Sequence, residues 1–225
     1  MPKKITINEE FFAEWTPEMA WVLGVILTDG HFGVSNNKGV RRLYIAQKEP
    51  ELLEKIRKIM NSNHKIILRP QTDKTNKMHF LSFTNEKIYN SLIKLGMSPK
   101  KSSILKFPQD IPNECIRHFL RGCWDGDGSF YYEYNNPKRI RGDFVSGSYD
   151  FIKAYVDQIK SLLGIKELKI YNKHKKKSCF YIKMAPNQTV KLFPHFYNNV
   201  NEDVYLMSKY LKLKQSYDLI GRVKH

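Results

Sequence analysis

One apolar stretch occurs twice in this sequence. The first copy reads WVLGVILTDGHF (21–32) and the second reads FLRGCWDGDGSF (119–130). Each copy is an apolar run with one glycine, and Asp-Gly follows five residues after that glycine. An apolar run of this length predicts a helix that is buried in the protein. A chain that builds the same buried helix twice is expected to fold as two related halves.

The segments that follow the two copies also correspond. After each copy come two strand-like runs, a helix, a second pair of strand-like runs and a further helix. This order predicts an α-β-β-α-β-β-α unit in residues 1–98 and again in 113–225, with a connector at 99–112 and a last basic helix over about 203–220. The expected fold class is α+β (mixed α/β), with two pseudo-symmetric halves that carry saddle-shaped antiparallel sheets and pack through the two apolar helices.

Each apolar helix ends in an acid, Asp29 in the first copy and Asp127 in the second. Taken singly, Asp-Gly is an ordinary helix stop signal, although an anion at a helix C-terminus is disfavoured by up to about 1 kcal/mol. Gly24 and Gly122 align, and helices that lack a Cβ at one point can approach each other closely. The two carboxylates would then converge, which requires a cation between them. Carboxylate oxygens are ligands that suit Mg²⁺.

The charge of the chain favours a polyanion as its partner. The sequence has 38 Lys and Arg against 22 Asp and Glu, a formal net charge of +16, and both halves are basic. Nucleic acid is the commonest partner of such a field. The three cysteines show no metal-ligand spacing, and no apolar run is long enough for a membrane span. We therefore expect a soluble intracellular protein, in the cytoplasm or an organelle matrix, with no membrane partner.

The stretches VLGVILTDG (22–30) and LRGCWDGDG (120–128) resemble the paired motifs of the LAGLIDADG homing endonucleases, in the single-chain form with two motifs. The second copy is the closer match, because the first has Leu27 where the motif usually has its first acid. The resemblance covers nearly the whole chain. It implies a monomer, with no protein partner, that cuts both strands of a long double-stranded DNA site and leaves short 3′ overhangs. It also implies Mg²⁺ as cofactor, with Mn²⁺ as a substitute and Ca²⁺ as a metal that binds without supporting cleavage.

The resemblance also assigns the metal ligands. Asp29 and Asp127 correspond to the last acid of each motif and would bind a divalent metal at the scissile phosphates. The residues before them, Thr28 and Gly126, would each offer a backbone carbonyl. Metal ions in such a site polarise the phosphodiester and help to generate hydroxide.

Further catalytic groups follow from the same resemblance. Gln47, at the end of the second strand, would lie near the active-site water, whereas the second half has Ser146 at the aligned position. The two sites are therefore expected to be unequal. The segment YLKLKQS points to Lys214 as a catalytic lysine, and its counterpart in the first half is Lys100 or Lys101.

The strands of each half would hold the DNA, because a two-stranded ribbon fits the major groove. Side chains alternate between the faces of a strand, so that Leu43 and Ile45 point to the core and Arg42 and Tyr44 point outward. The run KHKKK (173–177) reads as a hairpin tip that contacts phosphates. The full set of DNA-contact candidates is Ser35, Asn37, Arg42, Tyr44, Lys48, Arg69, Gln71, Glu133, Asn135, Arg139, Arg141, Asp143, Lys169, Tyr171, Lys173, Tyr181 and Lys183.

Two other interpretations remain open. A DNA- or RNA-binding protein on the same fold, such as an intron maturase or a regulator, would not need to cut, but it predicts damaged motif acids and both acids are present. A maturase activity can also coexist with cleavage. The endonuclease part of an intein would be flanked by splicing blocks, and none is found beside the opening Met-Pro or the closing GRVKH, so a free-standing enzyme is expected.

Overall fold

The computed structural model describes residues 4–34, 41–70, 77–99, 103–134, 136–174 and 177–222. In its first half these residues form α1 (Pro17–Asp29), β1 (Gly30–Val34), β2 (Arg41–Gln47), α2 (Glu51–Ile59), β3 (Ile67–Pro70), β4 (Lys77–Phe83) and α3 (Glu86–Lys94). The second half forms α4 (Asn113–Asp127), β5 (Gly128–Glu133), β6 (Asn136–Ser146), α5 (Tyr149–Leu163), β7 (Ile170–His174), β8 (Lys177–Met184), α6 (Pro186–Tyr197) and α7 (Met207–Arg222). The α+β class and the repeated order of elements are confirmed. The last helix begins at Met207, later than expected, because a short 3₁₀ turn occupies Glu202–Val204.

Each half contains one four-stranded antiparallel sheet, and the two sheets share one topology. The strand order is β1-β2-β4-β3 in the first sheet and β5-β6-β8-β7 in the second. Ile45 lies opposite Leu81 in the first sheet, and Phe144 lies opposite Ile182 in the second. All four side chains are fully buried. One face of each sheet therefore packs on the helices, and the alternate residues form the opposite, outer face.

The helix α1 lies at the centre of the molecule. Its start is set by Thr16, whose side chain accepts a hydrogen bond from the Met19 amide at 3.1 Å, and by Pro17, which suits the first helical position. Every residue from 19 to 27 is buried, as expected for a helix that is apolar on all sides. The second motif helix, α4, packs along it. Among the described residues, no helix is long and apolar enough to cross a membrane.

The segment between α6 and α7 ties the second half to α2 in the first half. The Lys55 ammonium donates to the carbonyl oxygens of Glu202, at 2.8 Å, and Tyr205, at 2.6 Å. The amide of Met207, the first residue of α7, donates to Glu51 Oε1 at 3.0 Å. These bonds fix where α7 begins, and the first turn of α7 carries a lysine that reaches the ends of the motif helices.

Candidate active site at the ends of the two motif helices

The two motif helices touch backbone to backbone at their glycines. A Cβ added to Gly24 would lie 2.4 Å from the carbonyl oxygen of Phe119, and a Cβ added to Gly122 would lie 2.1 Å from that of Trp21. Either distance is far inside a van der Waals contact, so that no side chain fits at either position. The structure thus places both predicted interface glycines at the crossing of α1 and α4.

The C-terminal ends of the two helices lie side by side. A Cβ on Gly126 would lie 2.1 Å from Thr28 Oγ1 and 3.0 Å from Asp29 Oδ2. The Asp29 carboxylate therefore packs against the residue that precedes Asp127. The Thr28 hydroxyl donates back to the Gly24 and Val25 carbonyls, both at 3.0 Å, which holds its side chain against its own helix. Each helix passes directly into the first strand of its sheet, so both acids lie at helix–strand junctions.

Gln47 reaches the acid of its own half. Its side-chain amide donates to Asp29 Oδ2 at 2.5 Å from the last position of β2. The aligned residue of the second half, Ser146, is buried and its hydroxyl accepts from the Ser148 amide at 3.1 Å, beside the N-terminus of α5. The two halves therefore present different side chains next to their acids.

A lysine that was not selected from the sequence, Lys209, reaches the end of the second motif helix. Its ammonium donates to the carbonyl oxygens of Trp124 and Asp125, both at 2.7 Å, in the last turn of α4. Burial lowers the pKa of Lys209, while the carboxylates of Asp125, Asp29 and Asp127 act in the opposite direction. Lys209 is thus a cation held within reach of the field of both motif acids.

Lys214, the lysine selected from the sequence, lies on the same helix as Lys209. It is five residues beyond Lys209, which turns its side chain by about 140° around the axis of α7. Its ammonium contacts Asp218 Oδ2 at 2.5 Å, and both side chains are about two-fifths exposed. A catalytic role of Lys214 stays a prediction, and Lys209 is a second lysine of α7, whose ammonium bonds to the last turn of α4. Lys209 could have been considered from the sequence, because it is a lysine in LMSKY, near the beginning of the predicted basic helix.

A second buried acid joins the two motif helices. Asp125 Oδ2 accepts from Trp21 Nε1 at 2.8 Å and from the Leu206 amide at 3.1 Å. Burial raises the pKa of the Asp125 carboxyl, and Lys209 opposes that rise. By the repeat alignment, the counterparts of Trp21 and Asp125 are Phe119 and Leu27, which are both fully buried. One pair of aligned positions thus forms a polar bridge, whereas the other pair consists of two buried apolar side chains.

A buried arginine braces the outer side of α4. Arg121 donates to the carbonyl oxygens of Val204, at 2.8 Å, and Phe196, at 2.7 Å. Its third nitrogen lies 2.8 Å from His118 Nδ1. Burial lowers the pKa of Arg121 to about 10, so it stays cationic at neutral pH, and burial together with Arg121 and Arg117 lowers the pKa of His118 to about 3. The two bonds of Arg121 tie α4 to the end of α6 and to the turn that precedes α7.

The outer face of the first sheet carries several of the expected DNA contacts. Arg42 and Tyr44 lie on it, with Arg42 Nε donating to Thr84 Oγ1 at 2.9 Å and the Tyr44 ring stacked on His31. Arg69 is exposed on β3. Lys48 follows β2 and is exposed, and its carbonyl oxygen lies 2.8 Å from His79 Nδ1.

The outer face of the second sheet is more highly charged. Glu133 forms ion pairs with Arg141, at 2.6 Å, and Arg139, at 3.3 Å, and Tyr131 donates to Asp143 at 3.0 Å. A cavity of about 370 Å³ connects this face to the motif acid, and its polar lining is Asp127, Ser129, Asp143, Lys173, Cys179, Tyr181 and Lys183. Tyr171 stacks on Tyr181, and Lys169 is exposed just before β7.

Six of the expected site residues lie outside the described residues: Ser35, Asn37, Gln71, Lys100, Lys101 and Asn135. The lysine expected near the acids from the first half is among them. Two positions of the KHKKK run, 175 and 176, also lie outside the described part of the chain.

The donor chemistry at the helix ends fits a hard divalent cation. Carboxylate and carbonyl oxygens are the ligands that Mg²⁺ and Ca²⁺ prefer, and Mg²⁺ commonly uses only one or two carboxylates together with substrate phosphates and water. Within the described ranges, no three His, Cys, Asp or Glu side chains form a metal cage. A metal at Asp29 and Asp127 would therefore take its remaining ligands from phosphate, water and backbone carbonyls.

Comparison with known proteins shows which domain model and which solved structures this chain resembles. A model of the LAGLIDADG-like domain matches residues 16–91. No curated protein matches the chain in sequence. Among solved structures, the homing endonuclease I-WcaI bound to its DNA recognition sequence is 17% identical, with 91% of each chain covered and a TM-score of 0.61. The homing endonuclease I-DmoI in complex with DNA and Mn is 16% identical, with 86% of this chain and 99% of that chain covered and a TM-score of 0.54.

The same fold also occurs in a protein that is described otherwise. Full-length DUF199/WhiA from Thermatoga maritima is 14% identical, with 97% of this chain and 65% of that chain covered and a TM-score of 0.59. A LAGLIDADG-like domain therefore matches residues 16–91, and the chain shares the fold of the two homing endonucleases, as its motifs implied. At these identities, the likeness to the solved structures establishes the fold alone.

Proposed function

We propose that this chain is a site-specific endonuclease that uses a divalent metal to hydrolyse both strands of a long double-stranded DNA target. The observation that carries the proposal is the convergence of two helix ends, each with a motif acid, beside Gln47 and the partly buried ammonium of Lys209. Two proteins of the same fold support it, since I-WcaI is bound to its DNA recognition sequence and I-DmoI is in complex with DNA and Mn.

The roles of the residues follow from their positions. Asp29 and Asp127 would hold Mg²⁺, for which Mn²⁺ substitutes, with help from the Thr28 and Gly126 carbonyls. When bound, the metal polarises the phosphodiester, favours hydroxide as the nucleophile and neutralises the departing oxygen. Gln47 orients the Asp29 carboxylate through its hydrogen bond. These five residues would thus form the metal-binding part of the site.

Lys209 would stabilise negative charge that develops at the phosphate. A cation that is already positioned in a buried site lowers the barrier more than one that must be ordered during the reaction. Two carbonyl oxygens hold its ammonium in place, and its depressed pKa reflects a site with little water. Because Gln47 lies beside one acid and Lys209 caps the helix that carries the other, we expect the two strands to be cut at different rates.

The two sheets would bind the DNA on their outer faces. The polar residues of these faces, with Arg, Tyr, Glu and Lys side chains along the strands, suit recognition of base edges in the major groove. We propose halves of 1–98 and 113–225 with a connector at 99–112, so that one chain covers both half-sites as a monomer. The resemblance to the homing endonucleases further implies short 3′ overhangs and an intracellular location.

The test is selection for cleavage from a randomised duplex library with Mg²⁺, followed by Asp29→Asn and Asp127→Asn on the selected target. Both variants should lose cleavage by at least about 100-fold, as expected when a metal-holding charge is removed, while binding in Ca²⁺ persists. Asp157→Asn, an exposed acid of α5, is the matched control and should cut normally. The proposal would be overturned if the control lost cleavage or if the two motif variants cut as fast as the wild type.

A second candidate is a DNA- or RNA-binding protein that does not cut. The observation that favours it is Lys209, because an ammonium near both acids compensates their charge without a metal. The fold of WhiA is a further argument. Tight binding to a selected duplex in Ca²⁺, with no cleavage in Mg²⁺ or Mn²⁺, would identify this candidate in place of the nuclease.

A further inference from the structure

A groove of about 1170 Å³ lies beside the first sheet, between that sheet and the N-terminal segment 4–9. The segment is held in place by hydrogen bonds and does not trail from the fold. The Asn8 amide donates to the Met60 carbonyl at 2.9 Å, and the Thr6 amide donates to Asn63 Oδ1 at 2.8 Å. The side-chain amide of Asn63 in turn donates to the Lys4 carbonyl at 2.8 Å. The groove therefore has two built walls.

The walls of the groove are basic. Lys4 and Lys65 are exposed on its rim, and Arg42 lines it from the outer face of the sheet. The carboxylate that lines it, Glu9, already accepts from the side chain of Asn85 at 2.7 Å. Among the described residues, none of these three cations forms an ion pair with a carboxylate. The lining thus has three basic groups against one acid, together with hydroxyl and amide donors.

The groove continues the outer face of the first sheet at its end remote from the acids. Arg42, which bonds Thr84 across β2 and β4, is five residues before Gln47, the residue that contacts Asp29. Five residues of strand span about 17 Å, which corresponds to roughly five base-pair steps along one DNA strand. A duplex that lies on this face with its scissile phosphates at Asp29 would therefore pass the groove.

The second half uses the equivalent segment differently. The connector precedes α4 as the N-terminal segment precedes α1, but Leu105 is buried there and its carbonyl accepts from the Ser148 hydroxyl at 2.7 Å. That segment packs on the beginning of α5. The exposed cations of the groove thus belong to the first half.

We propose that the groove formed by residues 4–9 and the distal end of the first sheet binds the sugar-phosphate backbone at the outer end of the first half-site, at least about five base-pair steps from the scissile phosphates. This inference rests on the proposed function, since it needs a duplex on the sheet. Lys4 and Lys65 contact phosphates there, and Thr6 and Asn63 hold the segment in place. The DNA contact would therefore extend further on one side of the cleavage site than on the other.

The test compares Lys4→Ala/Lys65→Ala with Lys153→Ala/Lys166→Ala, which removes two exposed lysines of the second half and changes the net charge equally. Binding of a selected target is measured in Ca²⁺ between 50 and 200 mM salt, on duplexes shortened at one flank or the other. Each lost phosphate contact reduces the slope of the logarithm of the binding constant against the logarithm of the salt concentration by about 0.9. The groove variant should therefore lose about 1.8 in slope and at least about tenfold in affinity at 0.1 M salt.

In the wild type, shortening the duplex at the end that lies on the first half should weaken binding by about the same factor as the groove variant, whereas shortening the other end should not. The groove variant should bind the two shortened duplexes equally well. Equal affinity of the groove and control variants, or equal dependence on both flanks in the wild type, would overturn the inference while leaving the nuclease proposal standing. Absence of any duplex binding by the wild type would overturn both. If the groove binds an acidic partner other than DNA, the groove and control variants should bind the duplex with equal affinity.

Discussion

The bridge between Trp21 and Asp125 offers a quantitative test of the helix interface, because the other side of the interface contains its apolar counterpart. The perturbation is Trp21→Phe with Asp125→Leu, which copies the buried pair of Phe119 and Leu27. Asp125→Leu alone leaves the Trp21 Nε1–H and the Leu206 amide without their acceptor. Each buried donor that loses its partner costs about 1–3 kcal/mol. Trp21→Phe alone removes one hydrogen bond to the Asp125 carboxyl group, worth about 0.5–1.5 kcal/mol.

The double variant should cost less than the sum of the single variants. It removes the donor and the acceptor of the bridge together, so only the Leu206 amide loses a partner. We expect a coupling of about 1–3 kcal/mol between the two positions, as is usual for residues in contact. Urea unfolding of all four proteins, followed by circular dichroism because Trp21 itself is changed, measures it. A cycle of Trp21→Phe with the remote Asp157→Asn is the control and should be additive.

A coupling within about 0.5 kcal/mol of zero would refute the reasoning, since sites that do not interact add to within that margin. It would mean that the indole and the carboxylate are each satisfied in some other way. A coupling of the expected size would show that the second motif's first acid holds the two halves together. Its counterpart in the first motif, Leu27, would then need no acid because Phe119 presents no donor.

Three further predictions concern other groups of the interface and the site. Gly122→Ala should destabilise the fold by about 3 kcal/mol or more, since its Cβ would overlap the Trp21 carbonyl and overpacking forces the backbone to move. Denaturant unfolding measures this cost, with Cys123→Ala as the control, and a smaller loss of stability in Gly122→Ala than in Cys123→Ala would contradict the close packing. Lys209→Met should reduce the cleavage rate by about 100-fold with binding in Ca²⁺ retained, whereas Lys214→Met should change that rate by less than tenfold. Single-turnover assays measure both rates, and a larger loss in Lys214→Met would assign the catalytic role to Lys214. Folding lowers the pKa of His118 to about 3, so the unfolded chain binds more protons between about pH 3 and 6.5, and the free energy of unfolding decreases as the pH falls through that window. The contribution of His118 to that free energy should decrease by roughly 1.4 kcal/mol per pH unit. In unfolding measured as a function of pH, His118→Gln should abolish this dependence.

Local patterns in the sequence were sufficient for the repeated architecture. The apolar runs and the alternation of Leu43 and Ile45 each specify burial within a short window, and burial is what periodicity reports. The confirmed fold therefore followed from residues that are close in the chain. Asp29 and Asp127 could be paired from sequence because the repeat relates them by symmetry.

What lies beside those acids depends on contacts between distant segments. Lys209 and Lys214 are both basic residues of one helix, and the bond between Lys209 and the end of α4 joins residues that are 85 positions apart. The carboxylate of Asp125 reads as a motif acid, and its bond to Trp21 spans 104 positions. The sequence by itself determined two halves, their sheets and their two acids, because these rest on local periodicity and a repeat. Only the tertiary structure decided the lysine, the bridge and the basic groove, because each is formed where segments remote in the chain are packed together.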